Sequence, residues 1–241
     1  MISRETFSRM ATSNQTTEIN LAHEYCQHLF LSAFYRQKGS ERVMFKGGTA
    51  LKIVYGSPRF SEDLDFSGFG VTSPQIEDWI LETVGEIEMN AIGVEIQESK
   101  LTSGGYLAIL GCRLYDYLIQ IQVEISLRQQ NDVQGQGTLI APDYLPAYTL
   151  TLLPQTRLVE EKISALLTRG KPRDFFDLYF LLRKGLITPE MKPHLLPIQD
   201  MLPGLTMNFY SELAQFLPAS HLGVLRDFPT ALSGELKRHG V

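Results

Sequence analysis

Between Thr17 and Gln37, apolar side chains recur at Leu21, Tyr25, Leu29 and Ala33, with Ile19, Cys26, Phe30 and Phe34 beside them. That spacing predicts a helix with a broad apolar stripe, whose plain role is packing. His23 and His28 lie on it five positions apart, which does not pair them as metal ligands on a helix. Arg42 to Phe45 predicts a short strand ending at Gly47-Gly48, and Thr49 to Tyr55 a short helix stopped by Gly56 and Pro58. Leu64 and Phe66 then alternate with Asp63 and Asp65, which is strand period. Pro74 to Ala91 predicts a second long helix: Pro74 suits a first turn, and Ile76, Ile80, Val84 and Ile87 share a face.

Three strand-like segments follow, Gly93–Glu98, Tyr106–Leu114 and Tyr117–Leu127, the last two flanking a turn at Tyr115-Asp116. After Pro142 and Pro146 the pattern changes. Gln155–Arg169 and Arg173–Lys184 read as helices separated by Gly170-Lys171-Pro172. Beyond Thr188, short helical stretches are broken by Pro193, Pro197, Pro203 and Pro218. The expected fold class is α+β: a mixed sheet with flanking helices over about 1–150, then an all-α region over about 151–241.

Composition narrows the picture. Of the 241 residues, 44% are hydrophobic and 20% charged, which excludes a wholly disordered chain. The net charge of -5 excludes an overall basic nucleic-acid coat but leaves room for a local basic patch. Cys26 and Cys112 are the only cysteines, so neither a disulfide scaffold nor a cysteine zinc site is expected. The opening MISRETFSRM carries Glu5 and no apolar run, unlike a secretory signal. No stretch approaches the roughly 18–20 apolar residues of a membrane helix. The expectation is a cytoplasmic protein without a membrane partner.

The stretch richest in chemistry is FKGGTALKIVYGSPRFSEDLDFS, Phe45–Ser67. On a strand, Asp63 and Asp65 share one face while Leu64 and Phe66 take the other. Two adjacent carboxylates repel, and a divalent cation relieves that repulsion. Magnesium prefers oxygen ligands and is typically held by one or two carboxylates plus substrate phosphates. Taken alone, Asp-x-Asp is more often a solvated edge. Thirteen residues separate Thr49 from Asp63. Gly47 and Gly48 allow close backbone approach to a ligand, and the helix opened by Thr49 would offer N–H groups to phosphate. Taken alone, Gly-Gly is more often a plain turn.

Together, the strand, Gly-Gly-Thr turn, short helix and Asp-x-Asp strand resemble the signature of the polymerase-beta-like nucleotidyltransferase superfamily. More narrowly, GGTALKIVYGSPRFSEDLDF resembles the AbiEii toxin family, also called MenT-like. The superfamily has a third carboxylate on a neighbouring strand. In YLIQIQVEISL, Glu124 lies on the polar face opposite Ile119, Ile121, Val123 and Ile125, where it could equally be a solvated strand residue. The segment VEEKISALLTRGKPRDFFDLYFLL, Val159–Leu182, resembles the family's later motifs. Lys162 and Arg169 are seven apart and share a helix face with Ala165 between them. By itself Lys162 is more often a solvated lysine, and Lys162→Ala is expected to leave stability nearly unchanged, as surface substitutions do. Asp174 stands near the next helix's start and is explained as a cap. Asp177 lies mid-helix among Phe175, Phe176, Leu178 and Tyr179, a setting that calls for a cationic partner or a ligand.

The resemblance implies a magnesium-dependent nucleotidyltransferase with two ions. Asp63, Asp65 and Glu124 would hold metal, with Lys162 and Asp177 as further catalytic residues. Gly47, Gly48, Thr49, Lys46, Arg59, Lys162 and Arg169 would contact the nucleoside triphosphate in a cleft between the two parts. It further implies a toxin of a type IV toxin–antitoxin or abortive-infection system. Such a toxin would transfer nucleotides to the 3′ end of tRNA, release pyrophosphate and block translation, with a cognate antitoxin as partner. Arg226, Lys237 and Arg238 are candidate RNA contacts. The competing readings are transfer to a protein hydroxyl (adenylylation) and a non-catalytic nucleotide-binding module.

Overall fold

The computed structural model describes residues 2–89, 92–129 and 133–241. The chain divides into two compact units. The first comprises Met1–Gly56 and Phe60–Leu153, the second Ser57–Arg59 and Pro154–Val241.

In the first unit, α1 (Arg4–Ser13) and α2 (Glu18–Phe34) lead in. The Thr17 hydroxyl caps α2 by accepting the Asn20 N–H at 3.2 Å. The apolar spacing did not single out α1, of which only Phe7 and Ala11 are buried. Then come β1 (Val43–Lys46), α3 (Gly47–Ile53), β2 (Leu64–Phe69), α4 (Ser73–Glu88), β3 (Gly93–Thr102), β4 (Gly105–Leu114), β5 (Tyr117–Arg128), β6 (Gln136–Ile140) and β7 (Tyr148–Leu152). The helix expected to reach Ala91 ends at Glu88, and positions 90 and 91 lie outside the described residues.

The strands form one mixed sheet in the order β3-β4-β5-β2-β1-β7-β6. β1 runs antiparallel to β2 and parallel to β7, while β2 runs parallel to β5. Strands β6 and β7 escaped the sequence reading, being five residues each and separated by a segment holding Pro142 and Pro146. Sheet character therefore continues to Leu152.

Helices α2 and α4 pack on the sheet, and the alternation in β2 and β5 decides which residues meet them. Leu64, Phe66, Ile119, Ile121, Val123 and Ile125 are all buried. Phe66 lies against Phe34 of α2 and Phe45 of β1, with ring centroids 5.7 and 5.4 Å apart. Trp79 of α4 meets Phe34 edge-on. These rings fix the register of β2, so Asp65 must take the opposite face.

In the second unit, α5 (Gln155–Arg169) and α6 (Pro172–Arg183) form a hairpin turned by Gly170, whose φ is +56°. The rest is α7 (Leu196–Met201), α8 (Phe209–Leu213), α9 (Phe228–Arg238) and short 3-10 turns. Phe175, Phe176, Phe209 and Phe228 build the core, with the last two rings 4.6 Å apart. Among the described residues, no helix is long and apolar enough to cross a membrane.

Candidate active site

The first group of site residues is built by β1, β2 and β5. Lys46 and Asp65 are register partners across β1 and β2. Gly47 has φ +84°, and an alanine Cβ placed there would lie 2.0 Å from Asp65 Oδ2 and 2.7 Å from its Cβ. Only glycine satisfies both the left-handed backbone and the close approach. The Gly-Gly turn and the Asp-x-Asp strand are therefore in direct contact. On the other side, Asp65 and Glu124 are partners across the parallel strands β2 and β5. Glu124 is exposed and accepts a hydrogen bond from the Gln122 amide, while Asp63 and Asp65 are half-buried.

Helix α3 opens at Gly47, two positions before the expected Thr49. Thr49 consequently lies inside the first turn, fully buried, and its hydroxyl donates to the Asp63 carbonyl at 2.5 Å. The side chain thus anchors the acidic strand, leaving the first-turn N–H groups of Gly47 to Thr49 as the α3 donors without an intrahelical partner.

Among the described residues, no three His, Cys, Asp or Glu side chains converge as a ready-made cation cage. The donor set of Asp63, Asp65 and Glu124 is oxygen-only, which suits a hard divalent ion such as magnesium. The strand register fixes the Asp65–Glu124 part of that set. Carboxylates on register partners of adjacent strands repel each other, and a bound cation relieves that repulsion.

The second group lies in the second unit. Arg59 is buried and grips Asp177: Nε donates to Oδ1 at 2.9 Å, and a terminal amine to Oδ1 and Oδ2 at 2.8 and 3.1 Å. Lys162 Nζ donates to Asp177 Oδ2 at 2.7 Å. Burial would raise the Asp177 carboxyl, but the Arg59 guanidinium and Lys162 ammonium outweigh it and hold it below the usual carboxylate range. Asp177 thus has the cationic partners its setting demanded. The surface reading of Lys162 is overturned, since its side chain is only 11% exposed and is committed to a buried carboxylate. Arg169, one end of the expected cationic stripe, forks onto Asp174 at 2.8 and 2.6 Å. Asp174 also accepts the Lys171 N–H at 3.1 Å, the expected cap of α6. Helices α5 and α6 therefore share a two-rung ladder, Lys162–Asp177 and Arg169–Asp174.

Sequence reasoning missed Gln27. It sits on α2, 1% exposed, and its amide donates to the Ser61 and Glu62 carbonyls at 2.7 and 3.0 Å. A polar residue within an apolar stripe was the available signal, because a buried amide needs partners. Also missed were two polar pairs: buried His28 shares a 2.7 Å hydrogen bond through Nδ1 with the Tyr148 hydroxyl, and half-buried Tyr144 donates to Glu24 at 3.0 Å. Lys52 pairs with Glu24 and lies 3.9 Å from the Phe60 ring centroid.

A mixed sheet carrying a glycine turn pressed against an acidic strand, with a further carboxylate on the next strand, is the nucleotidyltransferase fold. The chain belongs to the AbiEii family: the model for the nucleotidyl transferase AbiEii toxin of type IV toxin–antitoxin systems matches residues 29–199. Two solved structures share the fold. One is a protein from H. pylori assigned as a nucleotidyltransferase, with a TM-score of 0.62 and 20% identity, covering 92% of this chain and 98% of that one. The other is JHP933 from Helicobacter pylori, with a TM-score of 0.60 and 21% identity, covering 93% and 96%. No curated protein matches the chain.

Proposed function

We propose that this protein transfers a nucleotide from a nucleoside triphosphate to the 3′ end of tRNA, in a magnesium-dependent reaction that arrests translation. The observation that carries the reading is the placement of Asp65 between Gly47 and its register partner Glu124.

The reaction is attack by an acceptor hydroxyl oxygen on the α-phosphorus. A new phosphoester bond forms, the bond between the α-phosphorus and its bridging oxygen breaks, and pyrophosphate leaves with the electron pair. The hydroxyl proton passes to a carboxylate or to solvent. Asp63, Asp65 and Glu124 are the residues that would hold magnesium. When bound, the ions supply Lewis-acid stabilisation of charge on the entering and leaving oxygens. The N–H groups of Gly47, Gly48 and Thr49 donate to the triphosphate. Lys46 adds positive charge beside Asp65. We assign Lys162, in the second unit, the neutralisation of phosphate charge. An antitoxin that restrains this activity is the partner that family membership supports.

The test is incubation with each labelled nucleoside triphosphate in turn, with magnesium and total tRNA. Label at the tRNA 3′ end is the expected result. Label in protein instead would replace the acceptor, and no transfer with any nucleotide would overturn the reading.

A further inference from the structure

Three consecutive carbonyls lead into the acidic strand, and each is held by a buried side chain from another element. Gln27 of α2 spends both amide hydrogens, one on Ser61 at 2.7 Å and one on Glu62 at 3.0 Å. Thr49 of α3 holds the next, Asp63, at 2.5 Å. Gln27 is 1% and Thr49 0% exposed, so neither side chain is placed for solvent to replace it. Asp63 precedes β2, which begins at Leu64. The ladder bonds that fix Asp65 therefore do not by themselves fix Asp63.

Resting on the proposed function, we infer that Gln27, acting with Thr49, is a positioning residue that sets where the Asp63 carboxylate meets its cation. Gln27 touches neither nucleotide nor metal. Its two donors pin the approach to Asp63, and the Thr49 hydroxyl pins Asp63 itself. A carboxylate freed by the loss of either clamp samples positions off the productive geometry. A misplacement near 1 Å is enough to cost on the order of a hundredfold in rate.

Gln27→Met keeps the length and bulk of the side chain and removes both donors. Thr49→Val removes the hydroxyl at nearly constant volume, whereas Thr49→Ser retains it. The measurements are kcat and KM for the nucleotide, and Mn²⁺ titration of the protein without substrate. Gln27→Met and Thr49→Val should lower kcat by roughly ten- to a hundredfold. They should weaken Mn²⁺ binding by roughly tenfold, the scale seen when ligand-supporting groups are lost. Thr49→Ser should restore both readouts. A purely structural role would lower the unfolding temperature but leave the kcat of the folded fraction and Mn²⁺ binding at wild-type values, and that result overturns the inference alone. A wild-type protein that neither binds Mn²⁺ nor transfers nucleotide overturns the proposed function and this inference with it.

Discussion

The Lys162 ammonium donates a 2.7 Å hydrogen bond to Asp177 Oδ2, while Arg59 grips the same carboxylate from its other side. The pair is buried, so its members cannot be exchanged as surface residues can. Removing Lys162 leaves Asp177 with Arg59, whereas removing Asp177 takes the shared carboxylate from both cations. Lys162→Met should destabilise by about 1.5–3 kcal/mol, as for a hydrogen bond to a charged group. Asp177→Ala should destabilise by about 3–5 kcal/mol. Urea unfolding measures both. Equal midpoints for wild type and Asp177→Ala would remove the triad from the account.

Gly47 is held at φ +84° with Asp65 where a side chain would stand. Gly47→Ala should cost about 1–2 kcal/mol from the backbone alone. It should also displace the Asp65 carboxylate and abolish most transferase turnover while circular dichroism stays native-like. Wild-type turnover in Gly47→Ala would show that the contact has no part in function.

His28 is buried beside Tyr148 and near Lys52, and burial first, then Lys52, pushes its imidazole down to about 4. The unfolded chain has the ordinary value of about 6.5. Between those two values the unfolded state binds the proton and the folded state does not, so stability falls as pH falls from 6.5 to 4. At about 1.4 kcal/mol per pH unit, that separation is worth roughly 3 kcal/mol. Unfolding free energies measured from pH 7 to pH 4 should fall more steeply for wild type than for His28→Leu. Parallel curves would contradict the neutral buried imidazole.

The motif residues were legible because their spacing carries chemistry. Alternation placed Asp65 opposite Leu64 and Phe66 and Glu124 on the polar face of its strand, whereas Asp63, expected on the same strand as Asp65, lies just before it. The partner of Asp177 was not legible: Arg59 is 118 positions away in sequence, and no local period connects them. For the same reason the contact of Lys162 with Asp177 was not legible, since helix spacing gives a face but not what covers it. Gln27 and Thr49 act through backbone carbonyls, which leave no mark on composition. Strands β6 and β7 are too short to establish a period, and their partners are set by the sheet.

In the proposed function, Asp65, between Gly47 and Glu124, belongs to a magnesium-dependent centre for nucleotidyl transfer. The most direct measurement is pyrophosphate release by wild type and Asp65→Asn, with tRNA, nucleoside triphosphates and varied magnesium. Asparagine keeps the volume and removes the charge. Magnesium-dependent release by wild type and a loss of several orders of magnitude in a folded Asp65→Asn protein are expected, in line with removal of a group acting in the transition state. Release by Asp65→Asn at the wild-type rate, or by wild type without any divalent ion, would contradict the proposed function.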